Sequence, residues 1–310
     1  MKAIVSTKSG PPDVLQLQEV EKPVAGPGEI LVKVHAATVT RGDVMLRTLP
    51  FFMWPVMRIM GIRRKRTPGH EFAGEVEAVG KAVSRFKPGD QVFGTTTGLR
   101  VGANAEYIAL PEVRKSGLLD LKPANASYEE AAALPVGGMT ALYLLQKANI
   151  RPGQNVLIYG ASGSVGTYAV QLARSFGAEV TGVCSTANVE MVKSLGAAHV
   201  IDYTNEDFTA LGQRYDIIFD AVGKITASDC EGIRAADSAF VSIRTTTHES
   251  AGSLEFLRKL VEAGEIKPVI DRCYPLAETA DAHRYVETGR KKGNVVITVD
   301  HGPPNEEKPA

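Results

Sequence analysis

The chain reads as an α/β protein in two parts, a β-rich N-terminal domain followed by a doubly wound parallel sheet. Three observations predict this. Residues 1 to about 121 carry short alternating or apolar runs cut by Gly and Pro, the pattern of strands and turns. From about 122, apolar runs of strand length alternate with amphipathic helical stripes, which calls for a parallel sheet covered on both faces. A length of 310 residues leaves room for two domains of ordinary size, each with its own core.

In chain order, the first strands are AIVST, EILVKVHAATV, FAGEVEAVG, DQVFG and AEYIAL. Between them GPGE at 26–29 and KPGD at 87–90 are turn sequences, with Pro fixing φ and Gly taking positive φ. The stretch SYEEAAALPVGGMTALYLLQKA predicts a long helix: a Ser N-cap, Glu in the first turn, then an apolar stripe. The strand NVLIYG, the helix VGTYAVQLARSFG, the strand EVTGVCS and the helix NVEMVKSLG follow, and then the strands HVIDY, YDIIFDAVG and AFVSI. The final part returns to β character with KPVIDRCYPL, the helix AETADAHRYVETG and the strand NVVITVD. The expected division is therefore 1–121 with 266–300 returning to it, 122–265 as the second domain, and a polar, Pro-rich tail, 301–310, left disordered.

Composition narrows the function. Lys plus Arg equals Asp plus Glu, 35 against 35, so no overall field favours nucleic acid. Cys184, Cys230 and Cys273 form no CxxC pair and no disulfide framework, which suits a reducing compartment. The opening MKAIVSTKSG lacks the apolar stretch of a secretory signal, and no run reaches the ~20 apolar residues of a membrane-spanning helix. A cytoplasmic location is the expectation.

The segment VLIYGASGSVG, 156–166, places a glycine-rich turn between a strand and a helix beginning near Val165. That context predicts dinucleotide binding. On G-x-G-x-x-G, Ala161 takes the first glycine position and Gly163 and Gly166 the second and third. Gly163 lets the backbone approach a pyrophosphate, and Gly166 lets the helix pack on the strand. The N–H groups of Ser162, Ser164 and Val165 complete the cradle at the helix N-terminus. A site for NAD wants Asp or Glu at the end of the second strand, to take the ribose hydroxyls. Here Cys184 and Ser185 stand there. Ser185 and Asn188 can hydrogen-bond a 2′-phosphate, with Lys193 and Tyr203 as further candidates, so NADPH is the expected cofactor. No arginine completes the clamp in this stretch.

Four motifs in fixed order carry a resemblance: GHEFAGEVEAVG (69–80), FKPGDQVFG (86–94), AALPVGGMTALYLL (132–145) and GASGSVGTYAVQLAR (160–174). Together they resemble the medium-chain dehydrogenase/reductase superfamily, in its zinc-independent quinone oxidoreductase (zeta-crystallin-like) branch. The resemblance covers nearly everything before the tail. It implies a GroES-like catalytic domain, a Rossmann domain inserted into it, and NAD(P)(H) in the cleft between them. Two departures stand out. Zinc-dependent relatives have a ligating Cys where this chain has Thr40, and their later ligand position falls in Pro135–Met139, so His70 lacks the partners that a catalytic zinc needs. No zinc is expected, and His70 is read as structural. After AFVSIRTTTHESAG the chain is also shorter than its relatives, which leaves the Rossmann sheet one strand short and puts the usual family dimer in doubt; homodimer and monomer both stay open.

Without a metal to stabilise an alkoxide, dehydrogenating a simple alcohol is hard, whereas a conjugated carbonyl spreads the charge that hydride brings. The expected activity is reduction of quinones or α,β-unsaturated carbonyl compounds. The alternatives are a catalytically weak NADPH-binding redox sensor or membrane-associated protein and, further off, a zinc-type alcohol dehydrogenase. The resemblance marks Thr40 and Met45 as catalytic positions, and Asp43 on the same segment is a further candidate. Thr40 offers a hydroxyl to the substrate oxygen, Asp43 is either functional or a helix-start carboxylate, and Met45 replaces a frequent Tyr. Arg47 is read as a solvated face. The resemblance also places Thr140 beside the nicotinamide, the alternative being a helical Thr that bonds back to the preceding turn, with the Val222 and Ile243 backbone groups at the carboxamide and Asn294, in KKGN, near the cofactor phosphate. Finally, 50–66 carries Trp54 and the cluster Arg63-Arg64-Lys65-Arg66. It reads as an apolar lid for a bulky substrate, a contact with anionic membrane, or a loop packing its own small core.

Overall fold

The computed structural model describes residues 1–59, 66–99, 101–113 and 117–302. The chain divides into two compact units: Met1–Lys122 with Arg272–Arg290 and the chain from Val295 onward, and Pro123–Asp271 with Lys291–Asn294.

The first unit opens with β1 (Lys2–Val5), paired antiparallel with β2 (Gln16–Glu19), a short strand that the sequence pattern does not announce. The ten-residue β3 (Glu29–Thr38) is the central strand of this unit. After it come α1 (Arg41–Thr48), α2 (Trp54–Ile59), β4 (Glu71–Val79), β5 (Gln91–Thr95), β6 (Tyr107–Pro111) and β7 (Leu119–Leu121). One edge of β3 pairs with β4; the other is shared, with Glu29–Lys33 bonding β6 and its last residues reserved for a strand that arrives much later. Alternation along these strands sends Val32, Val34, Phe72, Val76, Ile108 and Leu110 into one core.

The second unit contains α3 (Tyr128–Ala133), α4 (Pro135–Lys147), β8 (Asn155–Tyr159), α5 (Ser164–Ser175), β9 (Glu179–Cys184), α6 (Val189–Ser194), β10 (His199–Asp202), β11 (Tyr215–Asp220), β12 (Arg234–Ser242) and α7 (Ala251–Glu262). The single helix expected over 127–148 is thus two. Pro135 begins the second, where its missing N–H does no harm. All five strands are parallel, in the order β10-β9-β8-β11-β12. This is the doubly wound order without its sixth strand. Between β10 and β11, and between β11 and β12, no α-helix forms.

Beyond this sheet the chain makes β13 (Ile270–Pro275), α8 (Thr279–Glu287) and β14 (Asn294–Thr298). From Val296, β14 takes the reserved edge of β3. Helix α8 packs on α1 through a buried face of Ala282, His283 and Val286. The expectation of disorder from 301 fails at its first residue: the His301 ring meets His35 and Tyr107 edge-on, and its Nε2 lies 2.7 Å from the Val34 carbonyl. Residues 303–310 lie outside the described residues.

Candidate active site

In the second unit, Gly160 takes the tight turn after β8 at φ +81°, a role that the sequence motif assigned to no residue. Gly163 then caps α5 with extended backbone, φ −79°. A Cβ on Gly166 would lie 2.1 Å from the Gly160 carbonyl oxygen and 2.9 Å from Ala161, so the helix can sit on the turn only with glycine there. Gly163 differs. Its nearest neighbour to a Cβ would be 3.6 Å away, so neither conformation nor internal packing demands glycine. That leaves room for a ligand that needs the backbone close, beside the first N–H groups of α5, which have no intrahelical partners. The turn therefore fits the pyrophosphate of a dinucleotide.

Other predicted residues divide between this surface and the scaffold. The Asn188 amide donates to both Ser162 Oγ and Ser185 Oγ at 3.2 Å, joining three of them into one polar cluster at the end of β9. The neighbouring Cys184 carries no charge, since burial and then Asp202 push its thiol up to about 11. Val165 and Ser164 are half-buried in the first turn of α5, but the Ser164 hydroxyl donates to Asn294 Oδ1 at 2.6 Å. Asn294 also donates to the Val269 carbonyl, so its amide is a clip on the turn and not a free phosphate ligand. Gly293 reinforces the clip, its N–H bonding the Ser162 carbonyl at 2.8 Å.

Ala161 is fully buried. Lys193 pairs with Glu190 on the exposed face of α6. Tyr203 is exposed and its N–H bonds the Cys184 carbonyl. The Val222 N–H bonds the buried Asp220 carboxylate, which also takes Gly223 and Ser242, and the Ile243 N–H bonds the Asp220 backbone carbonyl, so the ends of β11 and β12 are locked together. Only the carbonyls of Val222 and Ile243 remain to line a ligand. Thr140 sits half-buried on α4.

In the first unit, Thr40 is the N-cap of α1 and shares a capping box with Asp43. Its hydroxyl donates to Asp43 Oδ2 at 2.6 Å, so it is not the free donor that the sequence suggested. Asp43 is buried, and its other oxygen lies 2.5 Å from His70 Nδ1. Burial opposes its ionisation, but the His70 ring and the hydrogen bonds from His70 and Thr40 prevail, holding the carboxyl well below the usual range. Met45 is exposed and brings no polar atom. Arg47 corrects the expectation of a solvated face: its side chain is 3% exposed, paired with Glu287 and bonded through Nε to the Gly10 carbonyl. Behind them, His283 on α8 is wholly buried without a hydrogen bond to either ring nitrogen, and that burial keeps it neutral, down to about 4.

His70, Asp43, Leu15, Leu46 and Trp54 line a small pocket within this unit. On 51–59, Met57 turns inward while Phe52, Val56 and Ile59 stay exposed, which does not suit a segment closed on a core of its own. Arg63, Arg64 and Lys65 lie outside the described residues; Arg66 is exposed. Zinc does not fit here. Where a first ligand would stand there is a threonine cap, His70 and Asp43 make two donors against the three that a catalytic zinc takes, and among the described residues no third joins them.

Comparison with known proteins gives this geometry its lineage. The family model "Alcohol dehydrogenase GroES-like domain" matches residues 26–121, and models for "Zinc-binding dehydrogenase" match 164–260 and 231–297. A 2-methylene-furan-3-one reductase of Solanum lycopersicum is 35% identical over 96% of this chain and 79% of its own length. The chain belongs to the medium-chain dehydrogenase/reductase superfamily. This member is also 33% identical to an NADPH-dependent alkenal/one oxidoreductase of Arabidopsis thaliana, over 96% of the chain and 79% of that protein. The solved quinone oxidoreductase of Coxiella burnetii superposes with a TM-score of 0.81 at 30% identity, covering 97% of this chain and 99% of its own. The GroES-like and Rossmann architectures of the superfamily are those of the two units. Among the described residues of this member, no helix is long and apolar enough to cross a membrane.

Proposed function

We propose that the protein is an NADPH-dependent reductase of enones or quinones that works without zinc. The observation that carries the reading is the turn at 160–166, where Gly163 leaves room that no protein atom claims. The uncharged end of β9, with Ser162, Ser185 and Asn188 gathered there, supports NADPH over NADH, since a ribose-binding carboxylate is missing. Relatives named for alkenal/one and quinone reduction support the substrate class.

When bound, the nicotinamide supplies hydride. The chain's part is to seat the pyrophosphate on α5, to exclude water, and to handle the charge that arises on the substrate oxygen. A conjugated carbonyl delocalises that charge and so needs no metal where an unactivated alcohol would want one. Incubating the protein with NADPH and a panel of enones and quinones, and following NADPH absorbance, tests the reading. Oxidation that depends on a conjugated carbonyl, with none of the reverse reaction from simple alcohols and NADP, is expected. Preferential alcohol oxidation would overturn it. Met45, exposed and chemically inert at a catalytic position, favours a second reading, cofactor binding without turnover; NADPH binding with no oxidation across the panel would establish that one instead.

A further inference from the structure

We propose that Asp202, at the end of β10, is a specificity-determining residue of the nucleotide site: its charge weakens the hold on a 2′-phosphate, so that the chain accepts NADH as well as NADPH. The inference rests on the cofactor part of the reading above and concerns the second unit alone.

Register places the carboxylate. In the parallel pair of β9 and β10, Asp202 stands directly across from Cys184, the residue before Ser185, and neighbouring strands lie only about 4.8 Å apart. The side chain is tied to the turn that carries Ser185 and Asn188. The Thr186 hydroxyl donates to Oδ2 at 2.5 Å, and the Asn205 amide donates to the same oxygen at 2.8 Å. Thr204 gives its N–H and its hydroxyl to Oδ1, at 3.0 and 2.7 Å. Each oxygen thus has both lone pairs taken, so Asp202 has none left for a ribose hydroxyl and acts by charge alone. Donors of this kind favour the ionised form, and they hold the carboxyl below its usual range, Thr186 first and Thr204 next. The charge already reaches β9, where, after burial, it helps push the Cys184 thiol up to about 11.

All four donors to Asp202 are neutral. The stretch 202–213 carries Asp202, Glu206 and Asp207 and no Lys or Arg. On α6, Lys193 is matched by Glu190. At the end of β9, Ser162, Ser185 and Asn188 offer hydroxyls and an amide. A 2′-phosphate held there gains neutral hydrogen bonds against a negative field, because one strand spacing lies well inside the Debye length of about 10 Å at 0.1 M salt. The ribose of NADH carries no charge at that position and escapes the penalty. Equally, β9 ends without the carboxylate that would bond its hydroxyls. Neither cofactor is locked in or locked out.

The test titrates the full chain with two probes of the adenosine half, 2′,5′-ADP and 5′-ADP, by isothermal titration calorimetry. The ratio of their Kd values isolates the 2′-phosphate. Wild type should bind the two within about tenfold of each other, the scale of one or two neutral hydrogen bonds. Asp202→Asn should improve 2′,5′-ADP relative to 5′-ADP by about three- to tenfold at 0.1 M salt. That gain should shrink at 1 M salt, where the Debye length falls to about 3 Å. Thr186→Val, which cuts the tie and keeps the charge, should leave the ratio near that of wild type. A merely structural Asp202 would weaken both probes alike in both variants. That result, or an unchanged ratio in Asp202→Asn, would overturn the inference and leave the cofactor reading standing. A wild-type preference for 2′,5′-ADP of about a thousandfold, the mark of an ion-paired phosphate, would also overturn it. Binding of neither probe by wild type would overturn the inference and the cofactor reading together.

Discussion

Replacing Gly163 with Asp places a carboxylate at the mouth of the nucleotide turn while leaving the turn itself intact. The backbone there is extended, a conformation open to any residue, and the new Cβ meets nothing nearer than 3.6 Å. Asp is also a preferred N-cap, so α5 keeps or gains stability. Binding is another matter. A carboxylate about 4 Å from a pyrophosphate charge, at an effective dielectric near 20, costs about 4 kcal/mol, which is roughly a thousandfold in Kd. The contrasting variant is Gly166→Ala, whose methyl would lie 2.1 Å from the Gly160 carbonyl oxygen and 2.9 Å from Ala161 backbone atoms. Relieving that clash costs about 1–3 kcal/mol of stability. Fluorescence titration with NADPH and thermal melts by circular dichroism separate the two effects. Gly163→Asp should melt with wild type and bind at least about a thousandfold more weakly, whereas Gly166→Ala should lose several degrees of Tm. Wild-type affinity in Gly163→Asp would refute the assignment of the turn to a pyrophosphate, and a large loss of Tm in that variant would refute the steric reasoning.

The same geometry sets three further outcomes. The unfolded chain takes up a proton on His283 as pH falls through its ordinary value near 6.5, while the folded protein resists until about 4; the unfolded state therefore binds more protons in that window and stability falls with pH, by up to about 3 kcal/mol. Urea unfolding of His283→Leu should show a flatter slope between pH 6.5 and 4, leaving the Asp43 contribution, which is lost only at lower pH as that carboxyl protonates; an unchanged slope would contradict this. Arg47→Ala should cost about 2 kcal/mol in urea unfolding, because it removes a buried side chain from the contact of α1 with α8 together with its bond to the Gly10 carbonyl, and a loss below about 0.5 kcal/mol would place Arg47 among ordinary surface residues. Ser185→Asp puts a carboxylate where a 2′-phosphate is expected, and should lower kcat/KM for NADPH while sparing or raising it for NADH; an unchanged ratio would remove Ser185 from the cofactor site.

Much of the architecture was legible because it depends on local patterns. The apolar strands around VLIYGASGSVG and the alternation of β3 state their surroundings directly, and the glycine turn announces a strand-to-helix junction in eleven residues. What was hidden depends on partners distant in sequence. Arg47 looked like a surface residue because Glu287, 240 positions later, is invisible to any local window. Asn294 resembled a phosphate ligand until Ser164, 130 positions earlier, claimed its amide oxygen. Thr40 and Asp43 form a capping box with the spacing T-x-x-D, a signal present in the sequence that the search for a substrate donor passed over. His70 was judged by the missing zinc ligands alone, and its pairing with Asp43 required β4 and α1 to be brought together. Lys193 was placed by chemistry without regard to Glu190, three residues before it on the same helix, a neighbour that helical spacing could have revealed.

The central claim is metal-independent delivery of nicotinamide hydride to a conjugated carbon, and deuterium transfer tests it most directly. Chelator-treated protein, supplied with NADPH deuterated at C4 and an enone, should give a saturated ketone bearing the label at the β-carbon, seen by mass spectrometry and NMR. An unlabelled product from cofactor deuterated on both faces of C4, or a labelled one formed only when zinc is restored, would contradict the account.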